Sequence, residues 1–281
     1  MSQQFKQICR WSSAIIWLTL FPSMAWAQCD YSIWINVWPA QAEVIQPKQI
    51  FLLSGNGLGG TQSLASTLQK FGNSIHVFLW SAHDSVDLMI LDRLIYPTVE
   101  GPEAQTQLLL QPIRPLIPDT EYELRAFRGN ENLFYLFAQR RIAPGQRRAT
   151  DYLWKTSSAP DIMPPVWLTI PVVQQKKYEA NSEGTENYVS FSNPLRDSSK
   201  YLVKATIRHV NNGESVTTYL FPWQNQFSIG WFTCGGNVRF MSEEEYTVRF
   251  EAIDAAGNHA SASGQPISFK APKKVACCWG N

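Results

Sequence analysis

Glu245-Tyr246-Thr247-Val248-Arg249-Phe250-Glu251-Ala252, continued by Ile253-Asp254-Ala255-Ala256-Gly257-Asn258, carries the pattern that decides the fold. Tyr246, Val248, Phe250 and Ala252 alternate with Thr247, Arg249 and Glu251, the period of two that a half-buried strand requires. Asp254 to Asn258 supplies a turn, because Gly and Asn tolerate positive φ and Asp bonds its own backbone. Earlier in the chain, Glu121-Tyr122-Glu123-Leu124-Arg125-Ala126-Phe127 followed by Arg128-Gly129-Asn130 repeats the arrangement. Both copies read Glu-Tyr-x-(Leu/Val)-Arg ahead of a Gly-Asn turn, so the chain is expected to be built from two similar β units.

Working outward, further short strands are expected at 31–38, 49–53, 74–80, 86–95, 107–112, 133–138 and 151–156. A second set falls at 166–172, 201–210, 215–221, 227–232 and 266–270. Asn211-Asn212-Gly213-Glu214 between two alternating runs marks a hairpin. Polar Gln174 to Gly184 reads as a loop or irregular edge, and Ser63 to Lys70 as one short helix. The stretch 158–165, rich in Pro and Ser, reads as a linker. The expected fold is therefore all-β: two tandem sandwiches at 28–157 and 166–270, with a tail at 271–281.

Residues 1–27 read as a signal peptide. Lys6 and Arg10 precede a short apolar run, and Ala25-Trp26-Ala27 offers a small-x-small cleavage pattern. The run is too short to span a bilayer and Pro22 interrupts it, so no transmembrane anchor is expected. The leader holds two of the 24 basic residues and none of the 23 acidic ones, which leaves the rest at −1. No basic block stands out, so nucleic acid is not the expected partner. With no Asn-x-Ser/Thr sequon in the chain, a bacterial source is favoured, and the expected location is periplasmic, cell-surface or extracellular.

Leu116-Ile117-Pro118-Asp119-Thr120-Glu121-Tyr122-Glu123-Leu124 resembles the tyrosine corner of fibronectin type III and bacterial Ig-like domains. Pro39 to Pro47 resembles the opening of bacterial Ig-like domains. Trp154-Lys155-Thr156 with Asp161 and Pro164-Pro165 resembles a junction between such modules, and Ala252 to Asn258 their closing turn. In the second unit Met241-Ser242-Glu243 stands where the family has Leu-Pro. The resemblance implies a structural role for Tyr122 and Tyr246, a sandwich fold and an extracytoplasmic setting, and no reaction.

Chemistry-bearing groups are sparse. Gly55-Asn56-Gly57-Leu58-Gly59-Gly60 fits G-x-G-x-x-G, but the helix after it is too short for a dinucleotide site, so no cofactor is expected. His76, His83 and Asp84 are the densest potential metal ligands, yet they show no recognised ligand spacing and read better as a strand residue and a polar turn. Asp254 offers a calcium ion one carboxylate where several are needed. Gly-x-Ser-x-Gly and His-Glu-x-x-His are both absent. Of the eight Trp after the leader, Trp34 and Trp38 share a strand face opposite Ile33, Ile35 and Val37 and could present an aromatic surface.

Four cysteines follow the leader: Cys29, Cys234, Cys277 and Cys278. Adjacent Cys277 and Cys278 bridge each other only with strain. With sandwiches lying end to end, Cys29 is out of reach of the tail, so the expected disulfide joins Cys234 to Cys277 or Cys278. The expected function is that of an exported, non-catalytic binding or structural module of the cell envelope, with an envelope or extracellular protein or a glycan as partner. Two alternatives stand beside it: a secreted hydrolase whose site is assembled from loops, and a carbohydrate-binding or adhesion protein that uses exposed Trp.

Overall fold

A computed structural model describes residues 35–55, 64–96, 105–137, 152–181, 184–232 and 235–275. The leader, Trp34, Asn56 to Gly60 and the cysteines of the expected disulfide lie outside the described residues.

In the first half, β1 (Asn36–Trp38), β2 (Val44–Ile45), β3 (Phe51–Gly55), β4 (His76–Trp80), β5 (Ser85–Tyr96), β6 (Gln105–Pro112), β7 (Glu121–Arg128), β8 (Glu131–Asn132) and β9 (Leu153–Thr156) make one pairing path. Its order is β1-β3-β6-β5-β4-β7-β9-β2, with β8 alongside β7. Strand β5 joins the two walls. Its start pairs with β4 (Phe78 opposite Asp87) and the remainder with β6 (Leu88 opposite Pro112 through Tyr96 opposite Gln105). Between Ile90 and Asp92 the register shifts, and such a bulge bends a strand enough to pass it from one wall to the other. The walls close on one core that includes Phe51, Leu53, Val77, Leu79, Leu108 and Trp154. Helix α1 (Leu64–Gln69) adds Leu64 and Leu68 to that core.

The second half contains β10 (Val166–Trp167), β11 (Val173–Asn181), β12 (Gly184–Ser192), β13 (Leu195–Arg196), β14 (Tyr201–His209), β15 (Ser215–Leu220), β16 (Gln226–Phe232), β17 (Gly235–Gly236), β18 (Glu245–Asp254), β19 (His259–Ala260) and β20 (Ile267–Lys270). One sheet runs β11-β12-β16-β17 and the other β15-β14-β18-β19, with β20 also on β18. Inward residues of both sheets meet between them: Phe191 and Phe227 pack on Phe250 with ring centroids 5.1 and 4.7 Å away. The fold is all-β, its described strand pairs antiparallel except β2 with β9. No helix among the described residues is long and apolar enough to cross a membrane.

Strand β11 corrects the reading of Gln174 to Gly184 as a loop. It pairs along β12 from Val173 opposite Phe191 to Asn181 opposite Gly184. None of Gln174 to Ala180 is buried, so this edge strand has no core face and leaves no apolar period in the sequence. Lys177 instead sits between Glu179 and Glu186, at 2.8 and 2.5 Å.

The two halves pack through sheet faces. Phe51 and Leu53 of β3 point into the first core, while Ile50 and Leu52 point outward against Leu202, Tyr219 and Ile253 of the second half. Strand β6 divides in the same way, with Leu108 and Leu110 inward and Leu109 at the junction. A strand covered on both faces has no polar side, which explains the unbroken runs Ile50-Phe51-Leu52-Leu53 and Leu108-Leu109-Leu110. Trp38 is partly buried against this junction cluster, while Asn36 on the same face of β1 is exposed. The amide of Ile50 also donates to the Ala255 carbonyl at 2.8 Å.

Candidate functional site

At the junction, beside β15, lies a groove of about 540 Å³. Among the described residues β15 is the outer strand of its sheet and pairs with β14 alone. After it the chain reverses through Gln224 and Asn225, both at positive φ (47° and 62°), the geometry of a two-residue hairpin turn. Trp223 and Gln226 exchange both backbone hydrogen bonds across that turn, at 2.8 and 2.9 Å. The turn thus fixes Trp223 at the mouth of the groove with 71% of its surface exposed. Phe221 and Phe232 stand with it as exposed rings on the lining.

Deeper in, polar groups form a chain. The Tyr96 hydroxyl donates to Gln107 Oε1 at 2.6 Å. Gln107 spans the junction: its Nε2 donates to the Tyr219 carbonyl at 3.1 Å and its Oε1 accepts from the Tyr219 amide at 3.0 Å. One side-chain amide thereby does what a neighbouring strand would do for the free edge of β15. Asn237 Nδ2 donates to Thr218 Oγ1 at 2.6 Å, while Asn237 Oδ1 is buried with no hydrogen-bond partner among the described residues. The described lining carries amides, hydroxyls and aromatic rings and no carboxylate, imidazole, lysine or arginine. Behind it, the Tyr219 hydroxyl donates to Asp92 at 2.9 Å, and Lys204 pairs with the same carboxylate at 2.9 Å. Burial pushes the Tyr219 phenol well above its ordinary value. Burial also raises Asp92, but the bonds from Lys204 and Tyr219 outweigh it and hold the carboxyl below the usual range.

The sequence-derived metal candidates do not converge. His76 opens β4 and its Nε2 lies 2.9 Å from Asp87 Oδ1, whereas His83 and Asp84 lie in the turn beyond the other end of that strand. Four residues of extended chain separate the two ends by about 13 Å. Asp84 is held by Arg114 and by the Tyr122 hydroxyl, 2.7 Å from its Oδ2. Tyr122 in turn accepts from the Ile117 amide at 3.1 Å, and Tyr246 accepts from the Met241 amide at 3.0 Å. In both units the hydroxyl thus takes the backbone amide five residues upstream.

The Asp254 turn supplies one carboxylate, and the fold brings two more to it. Asp161 of the linker and Asp197 of the β13–β14 connection bring theirs to it, with one oxygen from each of the three within 4.8 Å of the others. These are the described residues placed to hold a metal ion together. Burial raises the Asp254 carboxyl, and the charge of Asp197 adds to the effect. Only folding brings the three segments together, so local spacing held no signal for this convergence. The groove was similarly hidden, although Pro222-Trp223-Gln224-Asn225 carried a local cue: a Trp at a turn is not a core Trp.

No protein-family model and no curated protein sequence matches the chain. Among solved structures it is similar to the chicken CNTN1 FN1-FN3 domains, with 13% identity and a TM-score of 0.26 over 85% of this chain. The chain spans 64% of that fragment's length. It is also similar to the chicken interferon gamma receptor alpha chain (8% identity, TM-score 0.25, 85% of this chain and 96% of that one). Bacillus subtilis pullulanase type I matches as well (8%, TM-score 0.18, 82% of this chain and 24% of that one). These superpositions are too loose to carry either fold or function, and the fold rests on the strand pairing above.

Proposed function

We propose that this chain is an exported, non-catalytic binding module of the cell envelope or exterior that seats its ligand in the groove at the junction. The observation that carries the reading is the groove itself: concave, formed by both halves, rimmed by exposed rings and floored by oriented amides and hydroxyls. Ligand sites combine these features, a largely apolar lining with a few placed polar groups, at this size. The described lining offers no group to move a proton near neutrality, which favours binding over hydrolysis. Trp223 supplies the exposed ring that such a binding role needs.

A double substitution, Phe221→Ala with Trp223→Ala, tests the site against glycan and peptide arrays. The reading expects wild-type signals that disappear in the variant while its melting temperature holds. Array signals that survive in the variant would move the ligand elsewhere. Export is checked by fractionating cells that express the full chain and sequencing the mature amino terminus, expected at Gln28.

A further inference from the structure

We infer that the ligand of this groove is an uncharged glycan chain, an inference that rests on the groove being the binding site. Three features of the lining select the chemistry. First, no charged side chain faces the groove among its described residues. A uronic acid, phosphate or cationic ligand would lose its hydration there without gaining a counter-charge, and that loss is expensive. Second, the polar groups present suit hydroxyls. Gln105, Gln226 and Ser228 on the lining carry amides and a hydroxyl that both donate and accept. A sugar hydroxyl likewise does both, so each can meet either need. Third, Trp223 offers a broad open ring at the mouth, with the turn at Gln224 and Asn225 holding its backbone. The apolar C–H face of a pyranose lies flat on such a ring while its hydroxyls reach the amides.

The same geometry disfavours an extended peptide. A peptide would gain most by pairing with the free edge of β15, the usual way an added strand is held. At Tyr219 that edge is already taken: both its outward backbone groups are bonded to Gln107. A glycan has no need of them.

The experiment is isothermal titration of the full mature chain with two sets of probes. The first contains neutral hexasaccharides of β-1,4-glucan, α-1,4-glucan, β-1,4-mannan, β-1,4-xylan and chitin. The second contains hexagalacturonate and a mixture of uncharged decapeptides. Wild type, Trp223→Ala and Trp223→Phe are compared, each checked for an unchanged melting temperature; the exposed ring makes the substitution safe for folding. At least one neutral sugar is expected to bind, with affinity falling about tenfold or more in Trp223→Ala and less in Trp223→Phe. Hexagalacturonate binding as tightly as the neutral sugars would overturn the uncharged class. Peptides that bind in a Trp223-dependent way, with no sugar doing so, would overturn the glycan and leave the groove as the binding site. If no probe responds to Trp223, the glycan and the groove reading both fall.

Discussion

Among single residues, Tyr122 and Tyr246 show how one motif carries different weight in two settings. Both hydroxyls accept an upstream amide, but only Tyr122 also donates to a carboxylate, Asp84. Tyr122→Phe should therefore lower stability by about 2–3 kcal/mol and Tyr246→Phe by about 1 kcal/mol, read from urea midpoints. Equal losses would show that the Asp84 bond contributes nothing. Two carboxylates should also give opposite pH signatures. Arg114 and Tyr122 hold Asp84 below its ordinary value, so its contribution is present above about pH 4 and is lost as pH falls through the lowered value. Burial holds Asp254 above its ordinary value, so its contribution is complete below about pH 4 and is lost as pH rises through the raised value. In thermal melts between pH 3 and 7, Asp84→Asn should flatten the acid limb and Asp254→Asn the decline on the higher side. The tyrosines were legible because a short local motif marks them. Asp254 bonds Ala256 and Asn258 of its own turn, as Asp-to-Asn spacing suggests, whereas Arg114 and Tyr122 reach Asp84 from elsewhere in the fold and left no trace near it.

Among elements, legibility followed exposure. Strand β18 has one wet face and one dry face, and its alternation announced it. Strand β11, wet on both sides, and β6, dry on both, hid the same conformation behind an all-polar and an all-apolar run. Close approach between strands is a further feature that composition conceals. Gly230 sits in β16 at φ +146°, where a Cβ would lie 2.3 Å from the Asn187 carbonyl oxygen of β12. Gly230→Ala should push β12 from β16 and lower stability by about 3 kcal/mol or more, measured by chemical denaturation. A near-neutral result would mean that the sheet yields at that point.

For the whole molecule, the all-β class was legible and the packing of the two halves on each other was not, because the surface that joins them is made from faces each half would otherwise show to water. Leu52, Leu109, Leu202 and Ile253 bury together there. Calorimetry of the wild type is expected to show one melting transition, and Leu109→Asp, which places a charge in that contact, to split it into two. A single transition in the variant would mean that the junction does not couple the halves. Gln107 adds a consequence for biosynthesis. The first half emerges from the ribosome before β15 exists, so the amide that caps the Tyr219 edge is in place when that edge forms. A permuted gene, with residues 158–275 translated ahead of 28–157, would reverse the order and leave an uncapped edge waiting during synthesis. Its product should scatter light on refolding where the natural order stays clear, because an unguarded strand recruits other chains.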